Sequence, residues 1–465
     1  MQHLKLKDMK TRFYNLSFAA ILLWSVLLIY SCGNTDFPGG DTPPHYATLK
    51  EALQDIPLIS KVKENPDTAA MKMQAELNYK EQYSMMFTQD LNHDDEGGEG
   101  FEQRVCIMFR GFDRPTILVT EGYYWNGFYD ASDLGINLNA NMVHVEHRNY
   151  GKSYNQDQHH WKYQTTAQAS ADIHAVYEAL KPIFPGKWLS TGTSKSGETS
   201  IFYAYHYPYD MNLAISFCSP FLDELYDEDF GRYFMNEIST EENRALMKRM
   251  IRLGLTDGEN GVYKDLCRTM ETRGEKVPTY TEYVFNLFDT GCQIFQYKAF
   301  DRERAEEFEK MIADKDYMIS QIIDNTIGNR DPDTYSYWIE AAKEQGSPDY
   351  YYKDFADLLE GTSFKADDVL ADEMDESDRY LLNEYDNMEY SDVINNFFVN
   401  TTCPLLLYYV HDDPWTGGKP STVGSNVKVV INPIGCHSPI LNNPNYCPPS
   451  IKQEVMDYVT TYIQP

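Results

Sequence analysis

Three residues of this chain have the type and setting that acyl transfer would need: Ser194, Asp413 and His437. Ser194 lies in Lys187-Trp188-Leu189-Ser190-Thr191-Gly192-Thr193-Ser194-Lys195-Ser196-Gly197-Glu198, an apolar run that passes through small residues into a helical pattern. A serine on so tight a strand-to-helix turn is held at a strained backbone conformation with Oγ exposed, and the turn admits only small flanks. Gly192 and Ser196 flank it at −2 and +2, so G-x-S-x-G is met on one side and softened on the other. Ser196 is the rival nucleophile, with bulky Glu198 at its own +2. A Ser/Gly/Thr-rich turn also occurs for structural reasons alone.

The partners come late. His411-Asp412-Asp413-Pro414-Trp415 follows one apolar run, and Gly435-Cys436-His437-Ser438 follows another. Singly, an Asp-Pro turn and a loop histidine are ordinary. In the order Ser…Asp…His, on successive strand ends, they match the α/β-hydrolase arrangement. Asp412 and Asp413 point to opposite sides, so only one faces the site, and His411 sits too near its strand to reach back. In such a triad His437 would take the serine proton and Asp413 would fix the imidazole tautomer. The N–H of Lys195, at the helix start, would hold the oxyanion. The second donor would come from the loop after an early strand, Glu121-Gly122-Tyr123.

These residues need a scaffold. Tyr83–Gln89 and Phe101–Phe109 read as a hairpin. Short apolar runs follow at Thr116–Thr120, Met142–Val145, Trp188–Ser190 and Leu213–Phe217, with helical stretches at 165–180 and 196–206. Buried strands alternating with helices predict a parallel sheet. From Leu222 to about Asn396 the chain is acidic, Tyr-rich and helical in pattern, with amphipathic stretches at 241–255 and 299–313. Strands resume at 404–410 and 426–431, and a helix at 450–463 closes the chain. The expected fold is an α/β-hydrolase core, residues 47–221 and 397–465, with a mostly helical cap, 222–396, inserted.

Lys+Arg number 40 against Asp+Glu 71, a net charge of −31. That balance repels phosphate backbones and anionic lipid, which excludes nucleic acid as an expected partner. Basic residues Lys5 to Arg12 precede an apolar run, Phe18–Tyr30, too short to span a bilayer, so residues 1–32 read as a signal peptide. Ile29-Tyr30-Ser31-Cys32 resembles a bacterial lipobox, with Tyr30 a poor fit. Cys32 is the lipidation candidate, 33–46 the tether, and the expected location is extracytoplasmic, periplasm or cell surface, with membrane contact through the anchor alone. Seven further cysteines show no CxxC spacing, and they read as disulfides or buried thiols. No cofactor or metal set is expected; His144, His147 and the His159-His160 pair read as structural or surface residues.

Several stretches resemble one family. Phe87-Thr88-Gln89-Asp90-Leu91-Asn92-His93 and Phe101-Glu102-Gln103-Arg104 are similar to the opening signature of the prolyl carboxypeptidase and dipeptidyl peptidase II clan. Glu146-His147-Arg148-Asn149-Tyr150-Gly151-Lys152-Ser153 resembles its EHR-x-(Y/F)-G-x-S stretch, and Tyr163-Gln164-Thr165 with Gln168, Ala169 and Asp172 the segment after it. The elbow resembles the GGSKGG of bacterial secreted tripeptidyl aminopeptidases, and Asp413-Pro414-Trp415 their DPW acid. The likeness covers roughly 83–220 and 403–440. It implies a serine exopeptidase freeing a short peptide, a tripeptide above all, from a substrate N-terminus, often with a proline preference. Thr193 and Ser196 depart from the family glycines. Such an enzyme needs a carboxylate for the substrate ammonium. Glu121 and Glu146 are the candidates, Glu146 with a structural alternative in Arg148 or a buried neighbour. An esterase or lipase on the same triad is the alternative, and a silent binding lipoprotein a third reading.

Overall fold

The computed structural model describes residues 46–64, 77, 79–95, 98–125, 132–154, 161–325 and 332–463. The leader, Cys32, the tether up to residue 45 and the His159-His160 pair lie outside them. Contacts divide the chain into two units, 1–47 and 48–465, and all that follows concerns the second.

Its centre is a sheet of nine strands among the described residues: β1 (Ile59–Glu64), β2 (Glu81–Asp90), β3 (Gly100–Phe109), β4 (Thr116–Thr120), β5 (Asn141–Val145), β6 (Trp188–Thr193), β7 (Leu213–Phe217), β10 (Leu405–Val410) and β11 (Val427–Asn432). β8 (Tyr226–Asp227) and β9 (Ser347–Pro348) form a separate two-residue ladder. The order is β1-β2-β3-β5-β4-β6-β7-β10-β11. β1 to β3 pair antiparallel, as does β3 with β5; beyond β5 every pair is parallel. This is the expected α/β-hydrolase sheet. β4, β5, β7 and β10 are buried at every position, the reason they read as unbroken apolar runs.

Both faces of the sheet are covered. Leu405, Leu407 and Tyr409 of β10 pack with Ile201 and Phe202, while Leu406, Tyr408 and Val410 pack with Val455 and Val459. That is the two-residue alternation of a strand. Phe202 belongs to α2 (Lys195–His206), which follows α1 (Thr166–Leu180) and packs against it and against β6 and β7. Thr165 caps α1 by accepting the Gln168 N–H.

Residues 228–400 are mostly helical and carry a core of their own, with Phe234, Met247, Leu287, Phe288, Phe308 and Ile322 at its centre. α3 (Glu241–Leu255) matches its expected span, and α5 (Asp301–Ala313) begins two residues late. Between them lies α4 (Tyr280–Tyr297), opened by a Thr279/Glu282 capping box. It is buried on nearly every side, so it shows no polar face by which the sequence could mark it. α6 (Pro332–Glu340) continues into a π-turn at Ala341–Gln345. No helix among the described residues is long and apolar enough to cross a membrane. All seven cysteines from Cys106 to Cys447 are free thiols, six of them buried.

The other expected strands end within two residues of their predicted bounds, the short β8 and β9 were not expected, and two larger differences have a physical reason. β6 runs three residues further, to Thr193, because Gly192 and Thr193 pair with Ser216 and Phe217 of β7. β1 was not expected. It is a bulged edge strand whose Lys61 and Lys63 hide its pattern.

Candidate active site

β6 delivers Ser194 and α2 begins at the next residue. Ser194 has φ 59° and ψ −132°, a conformation that costs of order 1–3 kcal/mol and persists only where neighbours enforce it. Here they do. The Ser194 N–H donates to Phe217 O at 2.8 Å, and its carbonyl accepts from Gly197 and Glu198 N–H. A Cβ on Gly192 would fall inside contact distance of the Ser196 backbone, so this position admits no side chain.

The other two residues meet. His437 Nδ1 lies 2.7 Å from Asp413 Oδ2, and Asp413 is fully buried. Asp413 Oδ1 also accepts from the Trp415 N–H, at 3.2 Å. With Nδ1 held, His437 Nε2 is buried and has no hydrogen-bond partner among the described residues. Asp412 turns the other way, to His411 Nδ1 at 2.8 Å and Arg304 Nη1 at 2.6 Å. A thiol that sequence reasoning passed over joins the group. Cys218, at the end of β7 with φ 55°, places Sγ with the Asp413 and His437 ligand atoms within 4.8 Å of one another. Burial, then the Asp413 charge and a hydrogen bond to it, push the Cys218 thiol well above its ordinary value, so it stays protonated.

One oxyanion candidate is corrected. The Gly122 N–H donates to Ser196 Oγ at 2.8 Å and is therefore taken. A Cβ on Gly122 would lie 2.5 Å from Ser196 N, so the loop is pressed onto the elbow. The Tyr123 and Lys195 N–H groups make no hydrogen bond among the described residues and remain as the two candidate donors. Ser196, the softened glycine, thus ties the loop to the turn.

Neither expected amine carboxylate faces the site. Glu146 is fully buried; it accepts from Arg104, from the N–H groups of Trp125, Lys152 and Ser153, and from Ser153 Oγ. Its partner is Arg104, since Arg148 pairs with Asp172. Glu121 lies 2.7 Å from His144 Nδ1. Burial, with the Glu146 charge added and Arg104 opposing, pushes its carboxyl up to about 8.

The cavity at Ser194, about 380 Å³, is walled instead by Tyr123, Lys195, Glu198, Trp415 and the α4 stripe Asn286, Asp289, Gln293 and Gln296. Glu198 is buried, with Tyr390 OH at 3.2 Å, and burial pushes its carboxyl up to about 8 against the Lys195 charge and that hydrogen bond. Burial likewise raises Asp289, which accepts from Tyr350 OH at 2.8 Å. Neither makes a salt bridge among the described residues. The Lys195 ammonium is engaged by Glu340 of α6 at 2.8 Å.

Residues 42–263 match the family described as PS-10 peptidase S37. Over 253 residues the chain is 27% identical to a prolyl tri/tetrapeptidyl aminopeptidase of Streptomyces mobaraensis, covering 52% of this chain and 50% of that protein. The chain thus spans about half the length of this curated relative. Among solved structures it is similar to a proline iminopeptidase of Mycobacterium smegmatis, with TM-score 0.40, 13% identity, and 81% and 98% of the two chains covered. An α/β fold family hydrolase of Bacillus anthracis gives TM-score 0.36, 13% identity, and 77% and 95% covered. The resemblance to the tripeptidyl aminopeptidases holds. The family match ends at 263, so Asp413, His437 and most of the helical block lie outside it.

Proposed function

We propose, for a chain whose residues 42–263 match the PS-10 peptidase S37 family, a secreted serine exopeptidase that frees short peptides, tripeptides above all, from polypeptide N-termini. The Streptomyces relative, a prolyl tri/tetrapeptidyl aminopeptidase, supports a proline preference. Ser194 Oγ attacks the scissile carbonyl while His437 Nε2 takes its proton. Asp413 holds Nδ1–H and stabilises the imidazolium. The Lys195 and Tyr123 N–H groups receive the oxyanion, His437 protonates the leaving amine, and water releases the acyl-enzyme.

The observation that carries the exopeptidase reading is the chamber at Ser194, whose wall holds Glu198 and Asp289, neither in a salt bridge among the described residues, while the Lys195 ammonium beside them is taken by Glu340. A buried carboxyl without a salt-bridge partner is raised by its burial; an incoming ammonium would supply a directly paired charge and draw the carboxyl into its ionised form. These residues replace Glu121 and Glu146 as amine acceptors. The roles of core (47–221, 397–465) and cap (222–396) follow the same reading, since α4 of the helical block forms one wall.

Export and a lipid anchor at Cys32 belong to the proposal. They are supported by the basic start, the apolar run to Tyr30, the small residue before Cys32, and the net charge of −31. Labelled palmitate should enter the protein and be lost in Cys32→Ala; unchanged labelling removes the anchor. For the activity, the protein is assayed on fluorogenic tripeptide, dipeptide and acyl-ester substrates, with Ser194→Ala as control. Free-amine peptides should be cleaved and their N-acetyl forms should not. Cleavage of esters alone would make the chain an esterase, and activity in Ser194→Ala would remove the nucleophile.

A further inference from the structure

Arg304 sits on α5, outside the family match, in a helix that reads as an ordinary charged one. Its side chain is wholly buried. Nη1 donates to Asp412 Oδ2 at 2.6 Å, and Nη2 to Gly435 O at 2.8 Å. Nε donates to Lys298 O at 2.9 Å, and Nη1 also to Asp301 Oδ1 at 3.1 Å. The two partners outside the helical block are telling. Asp412 immediately precedes Asp413, and Gly435 lies two residues before His437.

One rigid guanidinium therefore touches both loops that carry the acid and the base. A planar fork with fixed donor directions sets the separation of its acceptors, which a flexible ammonium cannot do. Asp412 is matched to the task. Burial pushes its carboxyl up, but the His411 hydrogen bond and the Arg304 charge outweigh this and keep it ionised. α4 reinforces the arrangement: Gln296 O accepts the His437 N–H at 3.0 Å, and Gln296 Oε1 accepts from Trp415 Nε1 at 3.1 Å.

We infer that Arg304 is a positioning residue of the triad: by holding Asp412 and Gly435 on one guanidinium it sets the approach of Asp413 to His437, and so makes catalytic competence depend on docking of the helical block. The inference rests on reading Ser194, Asp413 and His437 as the triad. A buried ion pair kept for stability alone would make a different prediction. It would move the melting temperature, yet leave turnover intact in the protein that remains folded.

The test compares the wild type with Arg304→Lys, Arg304→Ala and, as a control, Arg302→Gln, whose side chain is exposed on the same helix. Each is measured for melting temperature, for kcat and KM on a free-amine fluorogenic tripeptide, and for the rate at which a fluorophosphonate labels Ser194. Misplacing catalytic groups by about 1 Å costs about 100-fold. Arg304→Ala should therefore lose about 100-fold in kcat and in labelling rate with KM nearly constant. Arg304→Lys, which can hold Asp412 but not both loops, should fall between, and Arg302→Gln should match the wild type. Added guanidinium ion should restore part of the Arg304→Ala loss. The inference is overturned if folded Arg304→Ala keeps kcat near the wild-type value, or if only KM moves. If Arg304→Ala does not fold, wild-type kcat in Arg304→Lys overturns it equally. A wild type that neither cleaves peptides nor takes the label would sink the triad reading itself, a separate outcome.

Discussion

His147 should make this protein acid-sensitive in a defined window. It follows β5 and is buried, with Nδ1 3.0 Å from Arg148 O and Nε2 3.4 Å from Glu340 Oε1. Burial, and then the Lys195 ammonium, pull its pKa from 6.5 to about 4, with Glu340 opposing. The folded-state value is depressed. Above 6.5 neither state binds the proton, and the contribution to stability is fully present. As pH falls the unfolded chain protonates first, and the contribution is lost by the time pH passes through about 4. At 1.36 kcal/mol per pH unit, the fall from 6.5 to about 4 is worth about 3 kcal/mol. His147→Asn removes the titration and keeps an N–H for Arg148 O. Urea unfolding of both proteins at several pH values between about 7 and 4 gives the difference in stability directly. The mutant should lose about 3 kcal/mol less than the wild type over that range. Parallel curves would mean that His147 takes up its proton in the folded state as readily as in the unfolded chain, and the reasoning would fail.

Other changes have equally definite outcomes. Gly192→Ala places a methyl against the Ser196 backbone and should destabilise by about 3 kcal/mol or more, read as lost soluble yield or a lowered melting temperature. Asp413→Asn should lower kcat by about 10⁴-fold while the fold, followed by circular dichroism, is unchanged. Glu198→Gln should raise KM for free-amine peptides by about 10–100-fold, the value of a charge-assisted hydrogen bond, whereas Glu121→Gln should leave KM alone. Glu340→Gln leaves the Lys195 ammonium buried without its carboxylate and should cost about 3–5 kcal/mol in thermal or urea unfolding.

Much of the site was legible because its chemistry needs particular residues at particular places. The elbow announces itself through Gly192 and Ser194, and β4, β7, β10 and β11 through apolar runs with turns behind them. The proposed amine acceptor was not legible for a geometric reason. Glu121 and Glu146 stand at strand ends near the mouth, but one side chain is held by His144 on the neighbouring strand and the other folds under Arg104. The cavity is lined instead by a stripe of α4, a helix buried nearly all round, so nothing in its pattern says which face meets the cavity. Gly122 failed as a donor because Ser196, the departure from the usual glycine, brings a hydroxyl that takes its N–H. Arg304 hid for a similar reason: in Asp301-Arg302-Glu303-Arg304 it resembles a solvated charge, and only its vertical neighbours make it buried.

β7 and β10 lie side by side in the sheet although residues 218–404 separate them in the chain. The consequence is one of timing. A ribosome adds roughly 5–20 residues per second, so His437 emerges on the order of tens of seconds after Ser194. Throughout that interval the nascent chain would carry the proposed nucleophile without its base. If the triad is as proposed, the order of synthesis alone keeps the newborn chain silent toward its neighbours until His437 has emerged.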